Sequence, residues 1–268
     1  MSKKVLLIAE IGENHIGKIH LSKKMILQAK SAGADFVKFQ SYNSDCLKPN
    51  DPEYKWFKKV SLSDKDHINL KKFSKKNRIK FFSSPFSIER AKFLCEELKL
   101  KNIKIASCKM TDINLLKYLN KNCRTIFLST GASNIKEIKK SVKLLSNVNV
   151  KILHCVSEYP LNPRNANLRA IQLLKETFPG HEIGYSDHTI GNIACYTAMS
   201  LGATIIEKHF TLNKKFTGTD HILSATKKEF KELRDFSNNI QLLLGKKQKI
   251  PTKKEKTIKF FLRNRFKN

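Results

Sequence analysis

The chain has 268 residues, is 40% hydrophobic and carries a formal net charge of +29. It contains no apolar run of the roughly 18 residues that mark a transmembrane helix, and its first residues become polar too early for a secretory signal. We therefore expect a soluble cytoplasmic protein with no membrane partner. The lysines are spread over every predicted helix, which predicts a solvated basic surface and no nucleic-acid partner. The six cysteines form no C-x-x-C pair, which favours reduced thiols over disulfides.

Eight apolar runs, each ending in a polar or ionisable cluster, alternate with helix-like segments along the chain. The runs are IAEIGENH (8–15), FVKFQS (36–41), KFFSSP (80–85), IKIAS (103–107), IFLSTG (126–131), ILHCVSEYP (152–160), IGYSDH (183–188) and TIIEKHF (204–210). Regular strand–helix alternation predicts a parallel sheet. A doubly wound open sheet is the alternative, but no glycine-rich phosphate motif follows a strand. We predict a single-domain (β/α)8 TIM barrel with eight parallel strands over residues 1–245, followed by a Lys-rich tail over 246–268.

The segments between the predicted strands read mostly as helices. They span about 20–32, 88–98, 112–120, 134–145, 168–178, 192–201 and 228–244, with one more beginning at an N-capping signature around Ser63. We predict that residues 42–61 form a long loop. Long loops without secondary structure are uncommon in compact domains and usually serve a function, so we expect this loop to be functional. The tail is expected either to be disordered or to pack under the barrel, and Phe260, Phe261 and Leu262 favour packing.

Two lysines lie inside predicted apolar strands. Lys38 and Gln40 share a face at the end of strand two, because side chains two positions apart in a strand point the same way. Lys104 lies in strand four. Lysine is almost never fully buried without a partner, so both residues imply an anionic ligand or a carboxylate partner such as Glu10 or Glu207. A purely structural ion pair is the alternative.

Two histidines end the last two predicted strands. Ser186 and His188 share one face of strand seven, and Glu207 and His209 share one face of strand eight, with Lys208 on the other. Neighbouring strands lie about 5 Å apart, so the two imidazoles can face each other. Such a pair suits one divalent cation, with the remaining positions open to water and substrate oxygens. A hydrogen-bonded core histidine is the alternative for either residue alone.

Hydroxyl groups recur where strands give way to loops. Singly, each is most simply a helix cap. Together with two lysines, they describe a site for a small substrate that carries phosphate and carboxylate. The residues are Ser83, Ser84, Ser107, Ser129, Thr130, Ser157 and Ser186.

Nine short motifs follow one another in an order that is known from a family of enzymes. They are A-E-I-G-E-N-H-I-G (9–17), G-A-D-F-V-K-F-Q (33–40), F-S-S-P-F (82–86), I-K-I-A-S (103–107), L-S-T-G (128–131), H-C-V-S-E-Y-P (154–160), I-G-Y-S-D-H-T (183–189), E-K-H-F-T (207–211) and G-T-D-H (218–221). Over residues 5–255 the chain resembles the N-acetylneuraminate (sialic acid) synthase family, which includes synthases of related nonulosonic acids and spore-coat polysaccharide homologues.

The resemblance implies a metal-dependent transferase that condenses phosphoenolpyruvate with the open-chain aldehyde of an N-acetylmannosamine-like amino-sugar. Phosphate leaves by C–O cleavage, and a divalent metal, Mn²⁺ or Mg²⁺, is held by His188 and His209. Either Glu10 or Glu207 handles the proton of the incoming water. The resemblance assigns phosphoenolpyruvate binding to Lys38, Lys104, Ser84, Ser107, Ser129 and Ser186, and sugar contacts to Glu10, Gln40, Tyr159 and Asp220.

Two features depart from the family pattern. Lys109 stands where the family has an acidic residue near the reacting centre. The chain ends at Asn268, about where the family continues into a small antifreeze-like domain that reaches across a homodimer. Two other readings stay open: a phosphoenolpyruvate or pyruvate aldol-type enzyme with another acceptor, and a non-catalytic or weakly active sugar- or anion-binding barrel.

Overall fold

The computed structural model describes residues 4–43, 47–48 and 50–266, in which strands and helices alternate. The strands are β1 Leu6–Gly12, β2 Phe36–Ser41, β3 Lys80–Pro85, β4 Asn102–Ile105, β5 Thr125–Ser129, β6 Asn149–Cys155, β7 Glu182–Asp187 and β8 Ile205–His209. The α-helices are α1 Ile19–Ser31, α2 Tyr54–Val60, α3 Asp64–Lys76, α4 Ile88–Lys92, α5 Ile113–Asn122, α6 Ile135–Leu144, α7 Ala170–Thr177, α8 Ile193–Ser200, α9 Lys227–Leu244 and α10 Lys253–Arg263.

The eight strands form one parallel sheet that closes on itself. Their hydrogen-bonded order is β3-β2-β1-β8-β7-β6-β5-β4. β3 and β4, at the two ends of that order, lie against each other and complete the ring. The predicted (β/α)8 barrel is confirmed. Because all strands run the same way, their C-terminal ends meet at one mouth.

The barrel interior is built in layers, because alternate residues of each strand point inward. On β2, Phe36 belongs to an apolar layer and Lys38 to the polar layer nearer the mouth. The ring of Phe36 lies 5.3 Å from that of Phe82 and 5.8 Å from that of Phe127, centroid to centroid. This apolar layer forms a floor under the polar residues; its other members are Ile8, Leu153 and Ile205.

The expected loop over 42–61 contains a helix, so that expectation is wrong for the residues of α2. Phe57 on α2 packs edge-on against Tyr42, with ring centroids 5.3 Å apart. This tertiary contact stabilises a helix that the local pattern did not indicate. The parts of the expected loop at residues 44–46 and 49 lie outside the described chain.

Some boundaries also differ from the predictions. β4 ends at Ile105, and Ser107 begins a short 3₁₀ turn instead of ending the strand. The helix predicted over 88–98 is α-helical only in α4 and continues as a π-helical turn, Phe93–Glu97. That turn buries three successive residues, Phe93 to Cys95, against the core.

The tail does not pack under the barrel, so that expectation is wrong. A capping box between Thr252 and Glu255 starts α10, which therefore forms from local signals. Its apolar side chains remain exposed: Phe260 is 81%, Phe261 64% and Leu262 49% accessible. Among the described residues, no helix combines the length and apolar character needed to cross a membrane.

Candidate active site

A cavity of about 350 Å³ opens at the C-terminal mouth of the barrel. Ser83 and Thr130, two of the predicted hydroxyl residues, do not line this cavity, because their hydroxyl groups donate to the backbone carbonyls of Phe39 and Leu153. The other residues that the sequence predicted for the site line the cavity. They are Glu10, Lys38, Gln40, Ser84, Lys104, Ser107, Ser129, Ser157, Tyr159, Ser186, His188, Glu207, His209 and Asp220. Parallel closure of the sheet explains the convergence, because it brings the C-terminal ends of all strands together.

Two lysines and two glutamates form a buried charged cluster above the apolar floor. Nζ of Lys38 lies 2.9 Å from Oε1 of Glu10 and 3.6 Å from Oε1 of Glu207. Nζ of Lys104 lies 3.4 Å from the same oxygen of Glu207. Within the described chain, Oε2 of each glutamate is buried without a hydrogen-bond partner. The expected carboxylate partners are present, and the cluster keeps unused hydrogen-bonding capacity.

Within the cluster, the pKa of Glu10 is raised and the pKa of Glu207 is lowered. Burial raises the pKa of Glu10, and the nearby ammonium of Lys38 only partly offsets this. Burial also acts to raise the pKa of Glu207, but Lys104 and Lys38 outweigh it and lower the pKa to about 2. Glu207, between two lysines, is therefore the more acidic of the two carboxyl groups, whereas Glu10 is the one better able to exchange a proton near neutral pH.

The two histidines face each other as predicted, with ring centroids 5.4 Å apart. Nδ1 of His188 lies 2.7 Å from the carbonyl oxygen of Val156, which makes Nδ1 the protonated nitrogen and leaves the lone pair on Nε2. Burial and the neighbouring His209 lower the pKa of His188 to about 4. Burial acts to lower the pKa of His209, but Asp220, with Oδ2 3.2 Å from Nδ1, raises it.

This donor set fits a divalent cation that also takes ligands from solvent or substrate. No group of three His, Cys, Asp or Glu side chains in residues 4–43, 47–48 and 50–266 is arranged to hold a metal ion. The histidine pair therefore supplies two ligands at most. Neutral His188, whose Nε2 keeps its lone pair, is a suitable metal ligand. Oxygens of water and substrate would complete the coordination.

Hydroxyl groups surround the charged cluster. Oγ of Ser84 accepts a hydrogen bond from Nζ of Lys38 at 3.3 Å. Oγ of Ser186 donates to Oε1 of Glu207 at 3.1 Å. Oγ of Ser129 is buried and has no hydrogen-bond partner in the described chain. A buried hydroxyl without a partner is costly, so a ligand that pairs with it would be favoured.

Gly131 allows two further hydroxyl groups to approach the backbone closely. Its N–H donates to Oγ of Ser107 at 3.0 Å. A Cβ atom at Gly131 would lie 2.4 Å from Oγ of Ser157 and 2.8 Å from Oγ of Ser107. Any larger residue would therefore displace both serines from the cavity wall.

The residues predicted to contact a sugar surround the charged cluster and the histidine pair. Nε2 of Gln40 donates to Oε1 of Glu10 at 3.3 Å. The ring of Tyr159 lies 4.0 Å from that of His188, centroid to centroid. Tyr159 is half exposed, which places its side chain at the border between cavity and solvent.

Several cavity residues were not predicted. Cys155 could have been found, because it lies two positions after the inward-facing Leu153 on β6. Glu13 lies within the first motif, and burial raises its pKa. The aromatic residues of the wall carry no sequence signal, because loop paths bring them to the mouth. The full set of additional lining residues is Glu13, Glu53, Phe57, Phe86, Ala106, Cys108, Cys155 and Thr219.

Lys109, which departs from the family pattern, does not line the cavity. Its Nζ lies 3.5 Å from Oδ2 of Asp112, three residues later in the chain. The reversed charge is thus paired with a carboxylate outside the cavity wall.

The fold and the cavity define a (β/α)8 barrel with a buried lysine–glutamate cluster and a histidine pair at its C-terminal mouth. A comparison with protein-family models matches residues 25–249 to the NeuB family, and the chain belongs to this family. The resemblance found in the sequence is confirmed.

Similar proteins support this membership. The chain is 38% identical over 273 residues to the N,N'-diacetyllegionaminic acid synthase of Campylobacter jejuni, covering 94% of this chain and 81% of that protein. It matches the N-acetylneuraminic acid (sialic acid) synthetase of Leptospira borgpetersenii, solved with citrate, at a TM-score of 0.91 and 35% identity, covering 98% of this chain and 93% of that one. A spore coat polysaccharide biosynthesis protein of Bacillus subtilis matches at a TM-score of 0.80 and 30% identity, with 96% and 77% coverage.

Proposed function

We propose that this protein condenses phosphoenolpyruvate with the aldehyde of an N-acetylmannosamine-like amino-sugar. The products are a sialic-type nonulosonic acid and phosphate, released by C–O cleavage. One observation carries the proposal: the lysine–glutamate cluster and the histidine pair line one cavity. Membership of the NeuB family supports the same class of reaction.

Lys38 and Lys104 bind the phosphate and carboxylate groups of the donor. Charge-assisted hydrogen bonds are strong where water is excluded, and both ammonium groups are at most 5% exposed. The serine hydroxyl groups of the cavity, including the unpartnered one of Ser129, supply further hydrogen bonds. Glu207 remains ionised and orients both lysines. Burial acts to lower the pKa of Lys38, but Glu10 and Glu207 outweigh it and raise that pKa, whereas for Lys104 burial outweighs Glu207 and lowers the pKa.

Glu10 exchanges the proton of the attacking water. In this reaction the enol carbon attacks the aldehyde, water adds to the carbon that bears phosphate, and phosphate then leaves. The water must lose a proton, and the raised pKa of Glu10 suits it to that role better than the strongly acidic Glu207. Its unpartnered Oε2 is free to accept the proton.

His188 and His209 hold the divalent metal, Mn²⁺ or Mg²⁺. When bound, the metal supplies Lewis-acid polarisation of the aldehyde oxygen. The chain keeps His188 neutral and fixes its ring through the carbonyl of Val156. Gln40, Tyr159 and Asp220 line the acceptor side of the same cavity.

We assign residues 1–245 to the barrel and 246–268 to a Lys-rich tail, and we propose a cytoplasmic homodimer. The dimer is supported by the family resemblance. Sedimentation equilibrium would show a mass of twice 30.8 kDa. A monomer at micromolar concentration would contradict this part of the proposal.

The reaction is tested by incubating the protein with phosphoenolpyruvate, Mn²⁺ and a panel of amino-sugars in H₂¹⁸O. We expect phosphate release that needs an acceptor, with ¹⁸O in the sugar acid and none in phosphate, because C–O cleavage transfers the water oxygen to carbon. Label in phosphate would contradict C–O cleavage. Borohydride trapping with pyruvate would instead indicate a Schiff-base aldolase, and phosphoenolpyruvate binding without release would indicate a non-catalytic barrel.

A further inference from the structure

A buried ion pair lies on the outer side of the barrel wall, directly behind the two histidines. Asp187 on β7 and Lys208 on β8 are register partners, and their side chains are 0% and 1% exposed. Because side chains alternate along a strand, both point away from the cavity. Neither residue has a role in the proposed reaction.

The carboxylate of Asp187 accepts an unusual number of hydrogen bonds. Its Oδ2 accepts from Nζ of Lys208 at 2.6 Å and from Sγ of Cys195 at 3.2 Å. Its Oδ1 accepts from the hydroxyl of Tyr185 at 2.9 Å. Thr189 donates twice, from its backbone N–H at 2.9 Å and from its hydroxyl at 3.1 Å.

Lys208 also contacts Thr189, because its Nζ donates to the backbone carbonyl oxygen of that residue. The ion pair therefore engages the N–H, the hydroxyl and the carbonyl of a single residue. His188 lies between Asp187 and Thr189, so its backbone is held at both ends.

The same pair links the two histidine-bearing strand ends. His188 follows Asp187 directly, and His209 follows Lys208 directly. An ion pair between Asp187 and Lys208 thus joins the residues immediately before both imidazoles. The two rings lie 5.4 Å apart, centroid to centroid.

We propose that the Asp187–Lys208 pair is a positioning device that sets His188 against His209 for metal binding. The inference rests on the metal site of the proposed function. A buried ion pair is often no more stabilising than well-packed apolar residues. Apolar residues would close the wall equally well, but they could not bind the three polar groups of Thr189.

The test uses the double variant Asp187→Asn/Lys208→Met, which removes both charges together. Its matched control is Glu182→Gln/Lys151→Met, which removes another cross-strand ion pair, 2.8 Å long, from the opposite end of the barrel. Mn²⁺ binding to the metal-free protein is measured by electron paramagnetic resonance. Histidine side-chain ¹H–¹⁵N spectra of the metal-free protein report the His188 ring without any metal.

We expect the double variant to bind Mn²⁺ at least about tenfold more weakly, as is typical when the groups that orient metal ligands are removed. Its His188 resonances should also move. The control should keep Mn²⁺ affinity within about twofold, whatever its thermal stability, because it leaves the histidines untouched.

Unchanged Mn²⁺ affinity and unchanged His188 resonances in the double variant would overturn the inference. If that variant does not fold, Thr189→Val, which is close to isosteric and keeps the ion pair, should still weaken Mn²⁺ binding and shift His188; no change in either would equally refute the role. Wild-type protein that binds no Mn²⁺ would refute the metal assignment of the proposed function, whereas the metal-free spectra would still decide the positioning role.

Discussion

Glu207→Gln tests whether the buried lysines form an anion site. Oε1 of Glu207 lies within 3.6 Å of the Nζ atoms of both Lys38 and Lys104. These lysines lower the pKa of the carboxyl from 4.5 to about 2. At about 1.4 kcal/mol per tenfold change in proton affinity, this corresponds to about 3 kcal/mol of folding stability at neutral pH. We expect the substitution to remove about that amount.

The sign of the pH dependence follows from the lowered pKa. A carboxyl that is more acidic in the folded state stabilises the fold fully above its unfolded pKa. The difference in unfolding free energy between wild type and Glu207→Gln should therefore be constant above pH 5. It should shrink as the pH falls from 4.5 towards 2.

Phosphoenolpyruvate should partly rescue the variant. Without Glu207, Lys104 loses its carboxylate partner and Lys38 keeps only Glu10, so an anionic ligand gains more by binding the two ammonium groups. A ligand at 100 times its Kd stabilises a protein by about 2.7 kcal/mol. Urea unfolding with and without phosphoenolpyruvate should show a larger ligand-induced gain for Glu207→Gln than for wild type. Glu182→Gln, which removes a carboxylate far from the cavity, is the control and should show no extra gain.

Equal gains for Glu207→Gln and wild type would refute the reasoning, since the lysines would then not be the anion site. An unfolding free energy equal to that of wild type would refute the energetic argument. The two measurements are independent, so each part of the prediction stands alone.

Other predictions concern the remaining parts of the cavity. His188→Ala or His209→Ala should abolish Mn²⁺ binding as measured by isothermal titration calorimetry, while the circular dichroism spectrum remains the same as that of the wild type. Retained Mn²⁺ binding would contradict the metal assignment. Chelation with EDTA should stop phosphate release, and Mn²⁺ should restore it; activity that survives chelation would contradict metal dependence. Glu10→Gln should lower kcat by about 10²-fold or more with a smaller change in KM, because general acid–base catalysis is lost; an unchanged kcat would exclude Glu10 as the proton acceptor. Lys109→Glu should leave kcat within about twofold, because Lys109 pairs with Asp112 outside the cavity; a marked rise would mean that its charge reaches the reacting centre.

Much of the site could be predicted because two regular features of the fold determine it. A strand period of two decides which residues face inward, and parallel closure brings their C-terminal ends together. Lys38, Lys104 and the histidine pair all follow from these rules. The same rules predict Lys208 on the opposite face, where the structure has it.

Other features depend on loop paths and side-chain conformations, which no regular sequence pattern specifies. Phe57 lines the cavity only because α2 folds against Tyr42. Lys109 turns towards Asp112, although its place in the sequence puts it beside the strand-four serine. On the proposed function, the choice between Glu10 and Glu207 as proton carrier rests on how many lysines each carboxylate contacts, which the sequence does not give.

The charge balance of the cluster suits it to an anionic donor. Two lysines face two glutamates in the cluster, and the carboxylates act against the burial penalty on the ammonium groups: the pKa of Lys38 is raised, although burial still lowers that of Lys104. On the proposed function, an arriving anion competes with Glu10 for Lys38, which is 2.9 Å away. Losing that partner, and gaining a nearby negative charge, raises the pKa of Glu10 further. Glu10 therefore becomes most basic when the donor is bound, which is when the attacking water must give up its proton.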